Sequence, residues 1–557
     1  MNLKYNNRQK FDPILPDHDE WPVVKLSKNR EEFIEKVTNA AFKQIKRLRP
    51  TPQALVQELE TTRYKEKLRL QNDPWEVDPD DEVAFWKKVQ TDLMEISGKS
   101  ETGGKEDEIL YRILLRYATE IAGNFKHSYY RFTRRVVTFG FARLLNASQS
   151  KMFSGLFRGE RTLRDKIRIR GYTNLTRDLA KKGTIVMVPT HFSNLDSILV
   201  GWVIHELGLP PFIYGAGLNL FNMGLFAYFM NSVGAYKVDR RKKNLLYLET
   251  LKTYSNQAIQ KGIHSLFFPG GTRSRSGMLE KKLKLGLLGT ALDAQRSSFK
   301  KDANKKVFIV PVVLNYNFVL EAPSLIHQYL EKEGQEKYYI DSDNYTTSYK
   351  IVKFLIKFFT KPAEISVTIG HAMDLFGNYV DKEGNSIGKS GQPIDPRDYF
   401  LKNGKISRDK QRDEEYTRLL SQRIVEEFHK FNEVLPSHLV AFVAYLLLRK
   451  QFVNLDLYSF LRLPEDELCL EFATFKEGVR KVVQVLHELA HQDKILLAPE
   501  FEQPLAVIVD TGLNNLGMYH AKRPLLRNEK GEVITQDLNL LYFYHNRLVG
   551  YNLDRHV

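Results

Sequence analysis

Apolar residues change their spacing along this chain, and the changes divide it into predicted elements. Over 184–188 the run Thr-Ile-Val-Met-Val is short, continuous and β-branched, as a buried strand should be. Pro189 and the polar Thr190, Ser193 and Asn194 mark its end. Ile167-Arg-Ile-Arg-Gly171 precedes this opening strand, further strands are expected at 263–268, 307–314 and 364–369, each separated by helical or irregular material, and that alternation predicts a layered α/β domain over 166–400. Before it, 1–105 reads as a helical N-terminal region interrupted at Pro50, Pro52 and Pro74, with a linker at 97–105 rich in glycine and small polar residues. Ile109, Ile113, Leu114, Tyr117 and Ile121 then recur at helical spacing. The stretch 106–165 reads as amphipathic helices, and 401–557 as mainly helical with a terminal strand at 505–510.

Two basic amphipathic stretches have two readings each. In 130–145, Arg131, Arg134, Arg135 and Arg143 interleave with apolar residues, and in 349–361 Lys350, Lys353, Lys357 and Lys361 share one helical face. Such helices either pack on a neighbouring domain or lie in a membrane interface with their cations among lipid phosphates. The longest apolar runs, 439–448 and the interrupted 213–230, fall short of the roughly 20 residues that span a bilayer. The N-terminal sequence has no apolar core of a signal peptide. A cytoplasmic protein is expected, peripheral on any membrane it meets.

Composition adds a partner class. With 557 residues the chain is too long for a single core, and its formal net charge of +16 calls for a polyanionic partner: an anionic membrane face, phosphorylated substrates, an acidic carrier or nucleic acid. No nucleic-acid-binding motif is recognisable. The single cysteine, Cys469, excludes an internal disulfide framework and a multi-cysteine zinc site.

Candidate chemistry gathers after the central strand. His191 is followed five residues later by Asp196, so a carboxylate can fix the imidazole tautomer and stabilise an imidazolium; the bland alternative is a helix cap and a solvated acid. The stretch 234–240, Gly-Ala-Tyr-Lys-Val-Asp-Arg, ends in Arg240, either a phosphate clamp or part of a solvated basic turn with Arg241, Lys242 and Lys243. In 265–277 an apolar strand runs into Gly270, Gly271, Thr272, Arg273 and Ser274, the donors from which oxyanion or phosphate sites are built. Pro311 sits inside an apolar strand and demands an edge, a bulge or a strand end.

These four stretches, in this order, resemble the glycerophosphate acyltransferase superfamily with its H-x4-D block. The resemblance covers about 166–375 and implies an acyltransferase domain with a central mixed sheet flanked by helices. It implies His191 as general base, Asp196 as its orienting partner, Arg240 and Arg273 on the acceptor phosphate, and Gly270, Gly271, Thr272, Ser274 and Pro311 in the substrate-binding blocks. Amides around Gly270 and Gly271 would face a developing oxyanion. No metal or cofactor is implied; acyl-CoA or an acyl carrier protein is the co-substrate, and the excess lysines, including Lys281, Lys282 and Lys284, either meet its phosphates or acidic surface or form an ordinary solvated surface. Gly270 stands where the family has an acidic residue. The sequence 542–548 looks like the large glycerol-3-phosphate and dihydroxyacetone-phosphate acyltransferases, so the expected activity is glycerol-3-phosphate 1-O-acylation in phospholipid biosynthesis. The alternatives are acylation of a lysophospholipid such as lysophosphatidate, and a non-catalytic membrane-associated relative.

His487 and His491 form an H-E-x-x-H match in a helix whose Val479, Val482, Val483, Leu486 and Leu489 make an ordinary apolar face. No third zinc ligand follows, and the match reads as accidental.

Overall fold

The computed structural model describes residues 11–75, 77–96, 103–125, 167–218, 234–333 and 365–557. The basic amphipathic stretches 130–145 and 349–361 lie outside these residues, as do most of the 97–105 linker and part of 213–230.

Seven strands form one mixed sheet: β1 (Ile167–Gly171), β2 (Gly183–Pro189), β3 (Ile213–Gly217), β4 (Ala235–Val238), β5 (Ser265–Leu266), β6 (Lys306–Tyr316) and β7 (Ile365–Ile369), in the spatial order β1-β7-β6-β2-β5-β3-β4. The block from β6 to β4 is parallel; β7 runs antiparallel to β6 and parallel to β1. In β2 successive side chains enter different cores, Ile185 and Met187 on one face and Val186 and Val188 on the other. That is why this strand reads as an unbroken apolar run.

Pro311 occupies an interior strand. It pairs with Val188 of β2, while on the β7 side it falls between the Ile309 to Met373 bridge and the ladder that begins at Val312. No N–H is required at that break, and its carbonyl still accepts from the Gly370 amide at 2.8 Å.

In the N-terminal region, helices α1 (Pro22–Lys28), α2 (Arg30–Leu48), α3 (Pro52–Asn72), α4 (Glu82–Ile96) and α5 (Lys105–Ile121) share one core with Ile213, Tyr236, Leu246 and Tyr254 at the β3–β4 end of the sheet. After β7, the helix Pro436–Gln451 is buried nearly all round, which accounts for the apolar run 439–448. Residues 505–510 were expected as a strand, but Leu505–Asn515 is a helix starting after Pro504 and burying Ile508, Val509, Gly512 and Leu513. A short Val/Ile run does not distinguish the two, and here the three- and four-residue spacing of the buried positions prevails. Among the described residues no helix is long and apolar enough to cross a membrane.

Candidate active site

Because β2, β5, β3 and β4 are adjacent and parallel, the loops leaving their carboxyl ends converge on one edge of the sheet, where open α/β sheets form their ligand crevice. These loops carry His191, Asp196, Arg240 and the 268–276 turn. His191, Asn194, Tyr214, Arg240, Phe268, Thr272, Arg273 and Arg275 border a cavity of about 150 Å3.

Asp196 opens the helix Asp196–Glu206 and is fully buried. Its Oδ2 accepts from His191 Nδ1 at 2.8 Å and from the amides of Phe192 and Ser193 at 2.6 and 2.9 Å, and its Oδ1 accepts from the Tyr316 hydroxyl. A carboxylate held by so many donors can only accept, so the proton sits on Nδ1 and the Nε2 lone pair is free for base chemistry. Burial, then the Asp196 charge, keeps the Tyr316 hydroxyl well above its ordinary value, so it stays a donor. The His191 ring stacks on Phe268 with centroids 4.0 Å apart.

The arginines are not equivalent. Arg240 makes no hydrogen bond or ion pair among the described residues; the partial burial of its guanidinium at the cavity edge and then the Arg273 charge pull it below its ordinary value. Two neighbouring guanidiniums, one without a counter-ion, make an anion site. Arg273 is partly committed, 3.4 Å from Glu321, which also accepts from Ser193 Oγ at 3.0 Å and the Asn194 amide at 2.9 Å.

Other residues of the expected set brace the loops. Gly271 has φ +79°, and its N–H donates to the Phe268 carbonyl at 3.0 Å, so it is consumed by the turn and does not face the cavity as an oxyanion donor. Ser274 gives its amide to the His191 carbonyl at 2.7 Å and its hydroxyl to the Met278 carbonyl at 2.7 Å. Neither it nor Pro311 borders the cavity. Lys281, Lys282 and Lys284 are exposed.

Several participants were not legible in advance: Glu280, Tyr316, Glu321 and Arg547. Arg547 follows the helix Leu538–His545, is buried, donates from Nη2 to the Leu314 carbonyl at 2.6 Å and from Nε to the Asn315 and Asn432 side chains at 3.1 Å, and lies 4.0 Å over the Phe192 ring. Burial lowers it to about 10, which leaves it charged at neutral pH. Gly277, at φ +82°, lets this segment approach: a Cβ there would stand 2.2 Å from the Phe543 carbonyl oxygen. The family-like 542–548 sequence was the one signal for Arg547. His487 and His491 lie on the helix Phe472–His491, and among the described residues no group of His, Cys, Asp or Glu is arranged to hold a metal.

With this geometry, residues 166–315 match the acyltransferase family model. This chain carries an acyltransferase domain. The domain is similar to the glycerol-3-phosphate acyltransferases of Pseudomonas paraeruginosa (29% identity over 41% of this chain and 24% of the relative), Alteromonas mediterranea (30% over 40% and 24%) and Aeromonas hydrophila (35% over 29% and 19%). The matched part is thus about a quarter of those relatives' length or less. It contains the His191 and Asp196 pair, Arg240 and Arg273, whereas Arg547 reaches this acyltransferase domain from outside it.

Proposed function

We propose that the protein transfers a fatty acyl group from an acyl thioester to the 1-hydroxyl of glycerol 3-phosphate. The observation that carries this reading is the Asp196-held His191, whose free Nε2 borders the same cavity as Arg240 and Arg273. His191 Nε2 takes the hydroxyl proton as the oxygen attacks the thioester carbonyl; the C–S bond then breaks and the thiolate recovers that proton from the imidazolium. Asp196 stabilises the imidazolium, and the two arginines receive the acceptor phosphate. Acyl-CoA or an acyl carrier protein serves as donor, with no metal or other cofactor, and the net charge of +16 favours both donors and an anionic membrane surface on which the product is released.

Thiol release from acyl-CoA in the presence of glycerol 3-phosphate tests the reading. His191→Ala is expected to lower kcat by roughly 10²- to 10⁴-fold, the range for loss of a general base. Equal, slow thiol release by wild type and variant with every phosphorylated acceptor offered sinks it.

A further inference from the structure

Glu280 stands ten residues after Gly270 in sequence and beside it in space. The loop between them folds back because the Lys284 amide donates to the Pro269 carbonyl at 2.7 Å, closing its base, while the Ser274 hydroxyl ties to the Met278 carbonyl inside it. A Cβ placed on Gly270 would find Glu280 first, 3.1 Å from Cγ and 3.2 Å from Oε1. A side chain grown from position 270 would therefore enter the space that the Glu280 carboxylate fills.

From there Glu280 reaches the catalytic histidine through its backbone. Its Oε1 accepts the His191 amide at 3.0 Å, and the Ser274 amide of the same loop grips the His191 carbonyl at 2.7 Å. Both polar groups of the His191 backbone are thus held by one loop, while Asp196 holds the ring. Glu280 Oε2 is buried with no partner among the described residues. Burial pushes the carboxyl up to about 7, against the hydrogen bonds from its own and the His191 amide and the charge of Arg547; Asp196 is the other acid facing it. A buried, half-satisfied carboxylate costs stability, so its retention needs a compensating role.

We propose that Glu280 is the positioning carboxylate of this site, delivered by the folded-back loop into the space that Gly270 leaves open. It acts through His191, setting the height of the imidazole over the cavity, and does not itself touch substrate. The proposal rests on the acyl-transfer reading, and relocation tests it: Glu280→Ala, Gly270→Glu, and the two combined.

Two readouts are taken, kcat and KM for glycerol 3-phosphate with acyl-CoA, and hydrogen exchange at the His191 amide. Glu280→Ala is expected to lower kcat by roughly 10- to 100-fold, as misplacement of a reacting group does, with little change in KM, and to expose the His191 amide to exchange. Gly270→Glu alone crowds two carboxylates together and lowers both thermal stability and kcat. The combined variant regains most of kcat and the amide protection, because one carboxylate again occupies the space. A wild-type kcat in Glu280→Ala, or a combined variant as thermally stable as wild type yet no faster than Glu280→Ala, overturns the proposal. If wild type transfers no acyl group at all, the functional reading fails separately, and exchange alone decides: protection regained in the combined variant supports the relocation, and protection not regained refutes it.

Discussion

Arg240 and Arg241 are adjacent in sequence, yet one borders the cavity beside His191 and the other is sunk into the N-terminal helical region. Arg241 is gripped by Asp239 and Asp78 and lies 4.0 Å over the Trp75 ring. Lys242 continues inward to Glu120 at 2.5 Å, and the same cluster holds Arg69 against Glu66 and Glu82 at 2.6 and 2.5 Å. There each cation meets an anion. Around the cavity the balance is broken: Arg240 has no acidic partner among the described residues, and Arg273 shares Glu321 with two other donors. A basic run in sequence is therefore not one patch. Its structural members are those whose carboxylates the fold supplies, and Arg240 is the member to which the described residues supply none.

The largest effect that would break this contrast is on stability. Arg241→Ala leaves the buried Asp239 without its guanidinium and Asp78 with Arg69 alone, and is expected to cost about 3–5 kcal/mol, the range for breaking a buried pair, with KM for the acceptor unchanged. Denaturant unfolding beside steady-state kinetics measures both. Next in size, Arg240→Ala should raise KM for glycerol 3-phosphate roughly 10- to 150-fold, equivalent to about 1.5–3 kcal/mol for hydrogen bonds to a charged group, with the melting temperature held. Should the two variants exchange these phenotypes, the division of the basic run is wrong. The smallest effect is on pH dependence. Burial pushes the Asp78 carboxyl up, but the hydrogen bonds from Arg241 and the Trp75 amide, with the charges of Arg69 and Arg241, carry it below its ordinary 3.8. A depressed acid contributes stability that is present above its unfolded value and lost as pH falls through the folded one. Melting temperature below pH 4 should therefore fall more steeply in wild type than in Arg241→Ala.

Much of the site was readable because its chemistry is local. His191 and Asp196 are five residues apart, and an apolar strand leads straight into them. The layered α/β domain followed from alternating strand and helix signals, although the strand expected over 263–268 shrinks to Ser265–Leu266. What stayed hidden depends on distant segments meeting. Glu280 precedes two lysines and looks like an ordinary surface charge until the Lys284 to Pro269 hydrogen bond folds its loop. Tyr316 ends a strand whose pattern shows only burial. Ser274 and Gly271 were read as ligand-facing from their residue types, but their amides are taken by the His191 and Phe268 carbonyls. Residue type announces a donor; only the folded backbone decides what receives it.

Arg547 lies more than 350 residues after His191, yet its guanidinium is seated on the Phe192 ring and the Leu314 carbonyl. Translation delivers these parts in that order. A nascent chain that has already emerged through residue 315 still lacks the guanidinium that covers Phe192 and Leu314, and gains it only when the segment bearing Arg547 leaves the ribosome. Completion of this packing is thereby timed to the arrival of a remote residue, and a prematurely terminated chain would hold the histidine and aspartate without the guanidinium that covers their neighbour Phe192.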